Sequence, residues 1–197
     1  MLKDIESAYP DFIISDSPTQ RVSADLTNEF PTVEHLTPTL SLDNSYNPDD
    51  LEDFDKRIKK LLGNKDLKDL SYCVEPKFDG GTIVIIYEND QLSRGATRGN
   101  GIMGDEITSN IKAISSIPLT AAFSKYGIYK VELRGEAIIR KDNFAKVNSQ
   151  RAKNGEQLFA NPRNAATGGL RVKDSKQVKE RALDAFIYQV GYAVDKN

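Results

Sequence analysis

The sequence predicts an α+β protein, and three patterns predict it. The apolar run at residues 83–87 and the segment at 92–97 flank the turn-forming Glu88-Asn89-Asp90 and read as a β-hairpin. Residues 128–139 alternate charged with apolar or small side chains, the period of a strand, and residues 183–194 form a further, nearly continuous apolar strand. Apolar residues at helical spacing precede and separate these runs, most clearly after Asn47. At 197 residues the chain can bury a core, as one domain or as one domain with a small appendage.

Composition excludes several classes. No apolar run approaches the roughly 20 residues of a membrane span, and Met1-Leu2-Lys3-Asp4-Ile5-Glu6 is no secretory signal, so no membrane is expected. Cys73 is the single cysteine and cannot form an internal disulfide; lying in an apolar run, it reads as a buried small hydrophobe in a reducing cytoplasm. His35, the single histidine, rules out a His-rich metal site or a His-pair mechanism, though not a lone catalytic His. No metal-ligating residues are assigned. A net charge of −2 does not advertise nucleic acid, so any such contact requires a local basic patch.

Taken in order, residues 3–9 read as the end of a short helix stopped by Pro10, and Asp16-Ser17-Pro18-Thr19-Gln20 as turn chemistry. The polar segment up to Glu29 reads as an extended linker, and residues 33–44, rich in Pro and Thr, as a strand-like lead-in. Asn47 is a natural N-cap, Pro48 suits the first helical position, and Asp49 and Asp50 complement the positive end of the helix dipole. Leu51, Phe54, Ile58, Leu61 and Leu62 mark one face of that helix, and Gly63 ends it.

After the hairpin, Arg98-Gly99-Asn100-Gly101-Ile102-Met103-Gly104 is glycine-dense and precedes a helical stripe of Ile107, Ile111 and Ile114. Two readings stand: backbone N–H groups binding an anion at a helix start, or a hairpin exit that needs positive φ. The strand over 128–139 carries Glu132, Arg134 and Glu136 on one face, which is either wet or the lining of a cleft. A helix with Phe144 and Val147 follows, closed by Asn154-Gly155, and Asn161 with Pro162 opens a short helix of small residues. Between Arg163 and Arg181 six basic residues face two acidic ones, a solvated amphipathic segment on charge alone.

One stretch suggests chemistry. Glu75-Pro76-Lys77-Phe78-Asp79-Gly80 sits between the apolar Tyr72-Cys73-Val74 and the run at 83–87, which would place Lys77 at the lip of a sheet beside a glycine pair that admits close approach. Alone, Lys-x-Asp-Gly reads as a surface lysine beside a turn.

Six ordered motifs resolve that ambiguity. Asp16-Ser17-Pro18-Thr19-Gln20-Arg21-Val22, Leu40-Ser41-Leu42-Asp43-Asn44, Glu75 to Gly80, Ala96-Thr97-Arg98-Gly99 with Gly101, Arg134-Gly135-Glu136, and Phe159-Ala160-Asn161-Pro162-Arg163-Asn164-Ala165-Ala166 occur in one order across nearly the whole chain. Together they resemble the adenylation domain of bacterial NAD-dependent DNA ligases. The resemblance implies a covalent nucleotidyltransferase fold, an ATP-grasp-like core of antiparallel sheets with flanking helices and the nucleotide between them. It implies a division into residues 1–22, the remnant of an N-terminal helical region and linker, and 23–197, a partial adenylation domain truncated on its C-terminal side.

The resemblance also assigns roles. Lys77 attacks the adenylyl phosphorus of NAD and releases nicotinamide mononucleotide; the AMP then passes to the 5′-phosphate of nicked double-stranded DNA, which a 3′-hydroxyl seals. Asp79 orients the lysine or a magnesium shell. Glu75, Ser41 and Leu42 bound the adenine, Arg98 and Glu136 hold ribose and phosphate, and Arg163, Arg171 and Lys173 lie toward the DNA. Magnesium is expected as a clamp on transferring phosphoryl charge, and the remaining ligase domains as partners absent from this chain. The isolated segment is expected to be an incomplete enzyme. Thr39 stands where Met is usual in the family, Gly81-Thr82 where an apolar and a small residue are usual, and Asn100 where Asp is usual; none removes a presumed catalytic group. Two other readings keep the motifs: a non-catalytic nucleotide- or DNA-binding remnant, and an ATP- or GTP-using relative.

Overall fold

A computed structural model describes residues 2–14, 16–21, 30–63 and 70–195. Along the chain run α1 (Leu2–Ala8), β1 (Thr32–Glu34), α2 (Pro48–Leu61), β2 (Gly81–Glu88), β3 (Gln91–Thr97), β4 (Met103–Asp105), α3 (Thr108–Ala113), β5 (Ile128–Ile139), α4 (Lys141–Lys153), α5 (Pro162–Leu170), α6 (Ser175–Glu180) and β6 (Leu183–Asp195). They fall into two units, one of Leu40–Lys77 and one of Met1–Thr39 with Phe78–Asn197. The mixed α+β class with antiparallel sheets is as expected. The linker expected up to Glu29 lies largely at 22–29, outside the described residues.

The larger unit is built on a four-stranded antiparallel sheet ordered β3-β2-β5-β6. Asn89 and Asp90 close the β2–β3 hairpin with φ of 50° and 67°, the left-handed pair a two-residue turn requires and Asn and Asp tolerate. Asp90 does a second job: its carboxylate accepts from the Ser124 backbone N at 2.7 Å and the Ser124 hydroxyl at 2.5 Å, tying the turn to the loop before β5.

One sheet face is apolar. Ile83, Ile85 and Tyr87 of β2 and Val131 and Ala137 of β5 pack there with Ile107, Ile111 and Ile114 around α3, and with Ala165, Ala166 and Leu170 of α5. Gly95 permits this approach, because a Cβ there would stand 2.5 Å from Ile111 Cγ1. A cavity of about 120 Å³ remains on this side, lined by Ile85, Tyr87, Leu133 and Ile187 among others.

The opposite face carries Glu132 and Arg134, and it is not wet. Both are buried, at 0% and 5% exposure, beneath the segment that follows β1. The lead-in expected over 33–44 is a strand only at Thr32–Glu34, where it pairs with β4. Beyond it, the Leu36 backbone N donates to Glu132 Oε2 at 2.7 Å, and Arg134 Nη2 donates to the Thr37 carbonyl at 3.0 Å. Past β1 the chain thus bonds these two side chains as well as the backbone of residues 101 and 102.

The smaller unit holds α2 as the sequence predicts. The Asp50 backbone N donates to the Asn47 side chain at 3.0 Å, and Gly63 follows the helix with φ of 78°. Its apolar stripe packs only in part: Phe54 lies 6.0 Å from the Tyr72 ring, and the Tyr72 hydroxyl donates to Asp55 at 2.8 Å. Residues 70–79 form no strand, contrary to the reading of Tyr72-Cys73-Val74. An apolar triplet is not enough without a partner to complete its ladder. Cys73 is accordingly exposed rather than buried.

Candidate functional site

Gly80 begins the site in the larger unit. A Cβ at Gly80 would stand 2.0 Å from the Ala137 carbonyl oxygen, so only glycine lets this segment run against β5. Its backbone N donates to Glu136 Oε1 at 3.1 Å. Glu136 lies opposite Thr82 on β2 and opposite Phe186 on β6, which puts all three on the charged face of the sheet. Phe78 stacks on Phe186, with ring centroids 4.1 Å apart and planes within 5°. The run Phe78-Asp79-Gly80 is thus held at both ends.

Asp79 pairs with Arg163 of α5 at 3.3 Å. That helix starts as the sequence predicts, with the Asn164 backbone N donating to the Asn161 side chain at 2.8 Å. Arg171, just past α5, pairs with Asp105 of β4 at 3.0 Å. Two of the three residues expected to face DNA therefore already hold carboxylate partners, and Lys173 is exposed.

Arg98 leaves β3 at the glycine-dense loop, which leads into β4 and not directly into a helix. The hairpin-exit reading holds: Gly99 and Gly101 have φ of 55° and 92°, and a Cβ on Gly99 would stand 1.9 Å from the Met103 carbonyl oxygen. Asn100 Oδ1 accepts from the backbone N of Ile102 and Met103 at 2.9 and 2.8 Å. An aspartate would accept the same two bonds, so Asn100 keeps the loop's hydrogen bonding while carrying no charge.

Tyr188 on β6 carries no motif that flags it, yet it shares this environment. Burial, followed by the Glu136 charge, pushes its phenol up from the usual value of 10.0, while Arg134 and Arg98 and a hydrogen bond with Thr82 act the other way. Only the alternation of Phe186, Tyr188 and Tyr192 along β6 could have pointed to it. Glu136, Arg98, Thr82, Tyr188 and the Phe78–Phe186 stack form one polar and aromatic surface. It combines a cation for a phosphate, an acceptor for hydroxyls and a ring against which a base can stack.

The other predicted site residues lie in the smaller unit. Ser41, Leu42, Glu75 and Lys77 are all exposed there, and the Cys73 thiol contacts Glu75 at 3.6 Å. Lys77 is the last residue of that unit, one peptide bond before Phe78. Among the described residues, no group of three or more His, Cys, Asp or Glu is arranged to hold a metal ion, and no helix is long and apolar enough to cross a membrane.

A family model for the NAD-dependent DNA ligase adenylation domain matches residues 27–197. A DNA ligase of Sulfurihydrogenibium azorense is 60% identical over 193 residues, covering 98% of this chain and 27% of the relative. One from Persephonella marina is 54% identical over 197 residues, covering 100% of this chain and 27% of the relative. One from Aquifex aeolicus is 52% identical over 191 residues, covering 97% and 26%. The chain spans about a quarter of the length of the relatives it matches. With the matched region extending from before β1 to the end of β6, this chain belongs to the NAD-dependent DNA ligase adenylation domain family.

Proposed function

We propose that this chain supplies the nucleotide-charging part of an NAD-consuming DNA ligase, and that Lys77 is its nucleophile. The neutral Lys77 amine attacks the adenylyl phosphorus of NAD. A phosphorus–nitrogen bond forms, the bond to nicotinamide mononucleotide breaks, and the amine loses its proton. The AMP then passes to the 5′-phosphate at a DNA nick and frees the lysine; the 3′-hydroxyl attacks that phosphate and expels AMP. Arg98 and Glu136 hold the nucleotide's phosphate and ribose, Asp79 orients the segment carrying Lys77, and Ser41, Leu42 and Glu75 bound the adenine. Arg163, Arg171 and Lys173 face the DNA.

The observation that carries this reading is the family match over residues 27–197, within which Glu75 to Gly80 falls. The surface around Glu136 supports it. Magnesium fits only as a companion of the substrate: with no preformed cage of three ligands among the described residues, the ion would ride on the phosphates with one or two carboxylates, and there it supplies positive charge. The same reading takes residues 1–22 as the tail of a preceding helical region, the other ligase domains as partners, and the cytoplasm as the setting.

The test uses NAD labelled in its adenylate and this chain joined to the remaining segments of a ligase. Wild type forms a covalent adduct at Lys77. Lys77→Ala abolishes it, and Lys77→Arg does no better, because arginine keeps its proton. Mass spectrometry that finds AMP on another lysine would sink the assignment.

A further inference from the structure

The single histidine is not spare. We propose that His35 is a positioning residue for Arg98, acting through the main chain of the glycine-dense loop, and that its value is read in nucleotide binding. The inference rests on the reading above that Arg98 holds the nucleotide.

His35 Nε2 lies 2.9 Å from the Arg98 carbonyl oxygen. A carbonyl oxygen only accepts, so Nε2 carries the hydrogen and donates. The same residue's backbone N donates to the Ile102 carbonyl at 2.9 Å, and the Thr39 backbone N donates to the Gly101 carbonyl at 2.7 Å. Three bonds from residues 35–39 therefore seize the loop at Arg98, Gly101 and Ile102. Within the loop, the Gly101 backbone N also donates to the Arg98 carbonyl at 3.0 Å, so that oxygen is shared between the turn and the imidazole. The two segments also run close together here, since a Cβ on Gly101 would stand 2.8 Å from the Thr39 carbonyl oxygen.

The other edge of residues 35–39 is fixed independently. Leu36 N and the Thr37 hydroxyl donate to Glu132 at 2.7 and 3.3 Å, the Thr37 hydroxyl also lies 3.1 Å from the Gly191 carbonyl, and Arg134 donates to the Thr37 carbonyl at 3.0 Å. His35 thus bridges a loop built on positive-φ glycines to a segment anchored on a buried ion pair. Arg98 directly follows the last residue of β3, beyond the β-ladder, and the imidazole takes over the task of fixing its carbonyl. Without the imidazole, that carbonyl keeps its turn bond to Gly101 and the loop keeps its backbone bonds at Gly101 and Ile102, but the Arg98 carbonyl loses its own tie to the anchored segment and the side chain starts from a less constrained point.

The test measures AMP affinity of the 197-residue chain by calorimetry for wild type, His35→Ala, His35→Gln, Arg98→Ala and the double variant His35→Ala/Arg98→Ala, with thermal melts to verify folding. Losing one well-placed hydrogen bond is expected to weaken AMP about fivefold in His35→Ala. His35→Gln, whose amide still donates, recovers part of the loss. The decisive readout is coupling: in the Arg98→Ala background, removing His35 changes affinity no further, whereas a merely structural role would weaken both backgrounds alike. Arg98→Ala weakening AMP while His35→Ala binds normally overturns this proposal alone, as does additivity in the double variant. An Arg98→Ala variant that binds like wild type, or a wild-type chain that binds no AMP, overturns the nucleotide role of Arg98 and the proposal with it.

Discussion

Glu132 and Arg134 show how one residue's environment changes what its charge does. In sequence they are two of three charges alternating along a strand, with nothing to say whether that face meets water or protein. In the fold both are buried, 3.2 Å apart, and each also bonds residues 36–37. A buried pair adds little net stability over well-packed apolar residues, but breaking one half strands the other charge. Glu132→Leu is therefore expected to cost about 3–5 kcal/mol, with Glu132→Leu/Arg134→Met recovering a large share. Urea denaturation midpoints check this, and a single variant as stable as wild type would contradict the burial described. The same limit explains Cys73 and Tyr188. Residue type alone gave the wrong side for Cys73, which is exposed, and no signal for Tyr188, whose surroundings come from β2, β5 and the loop after β3.

Elements were legible where their signals were local. Asn47 with Pro48, Asn161 with Pro162, and the strands around Asn89-Asp90 carry their own start, stop or turn chemistry, and each forms as its residues require. Where the deciding partner is distant in sequence, the local pattern was not enough. Tyr72-Cys73-Val74 looks like a strand and finds no ladder, while Arg98 to Gly104 left two readings open, of which the positive-φ hairpin exit is the one that forms, with Met103–Asp105 pairing with β1. The hairpin turn also shows an element held by a titrating group. The Ser124 hydroxyl and then its backbone N hold the Asp90 carboxyl below its usual 3.8. A carboxylate whose folded pKa is depressed contributes stability that is complete above its unfolded value and is lost as pH falls through the folded one. Thermal melts from about pH 6 to about pH 2.5 should show wild type losing stability below about pH 4. Asp90→Asn keeps the left-handed turn, starts lower at neutral pH, and falls less steeply in acid. An identical acid profile for the two proteins would remove Asp90 from the account.

At the scale of the whole molecule, the chain is acidic overall and basic in one place. Its net charge is −2, yet residues 163–181 carry six basic and two acidic side chains. In the fold, Arg163 and Arg171 are held by Asp79 and Asp105, carboxylates contributed by the segment before β2 and by β4. Both arginines and Asp79 are exposed and Asp105 is half-buried; pairs open to solvent are weak, about 0–1 kcal/mol, so a polyanion can displace the carboxylates at little cost. The ion pairs place the arginines without committing them, and phosphate would compete for them directly. If the proposed DNA partner is correct, binding releases counterions for each phosphate engaged, and the logarithm of affinity falls with the logarithm of salt at roughly 0.9 per phosphate. Reversing Arg171 and Lys173 to glutamate should then weaken binding to a nicked duplex and flatten that dependence by about one unit for each phosphate no longer engaged. Fluorescence anisotropy across a salt series separates the outcomes. Weaker binding with an unchanged slope would mean that the substitutions altered the fold around α5 and not the phosphate interactions, and an unchanged affinity would leave the basic run as a solvated face.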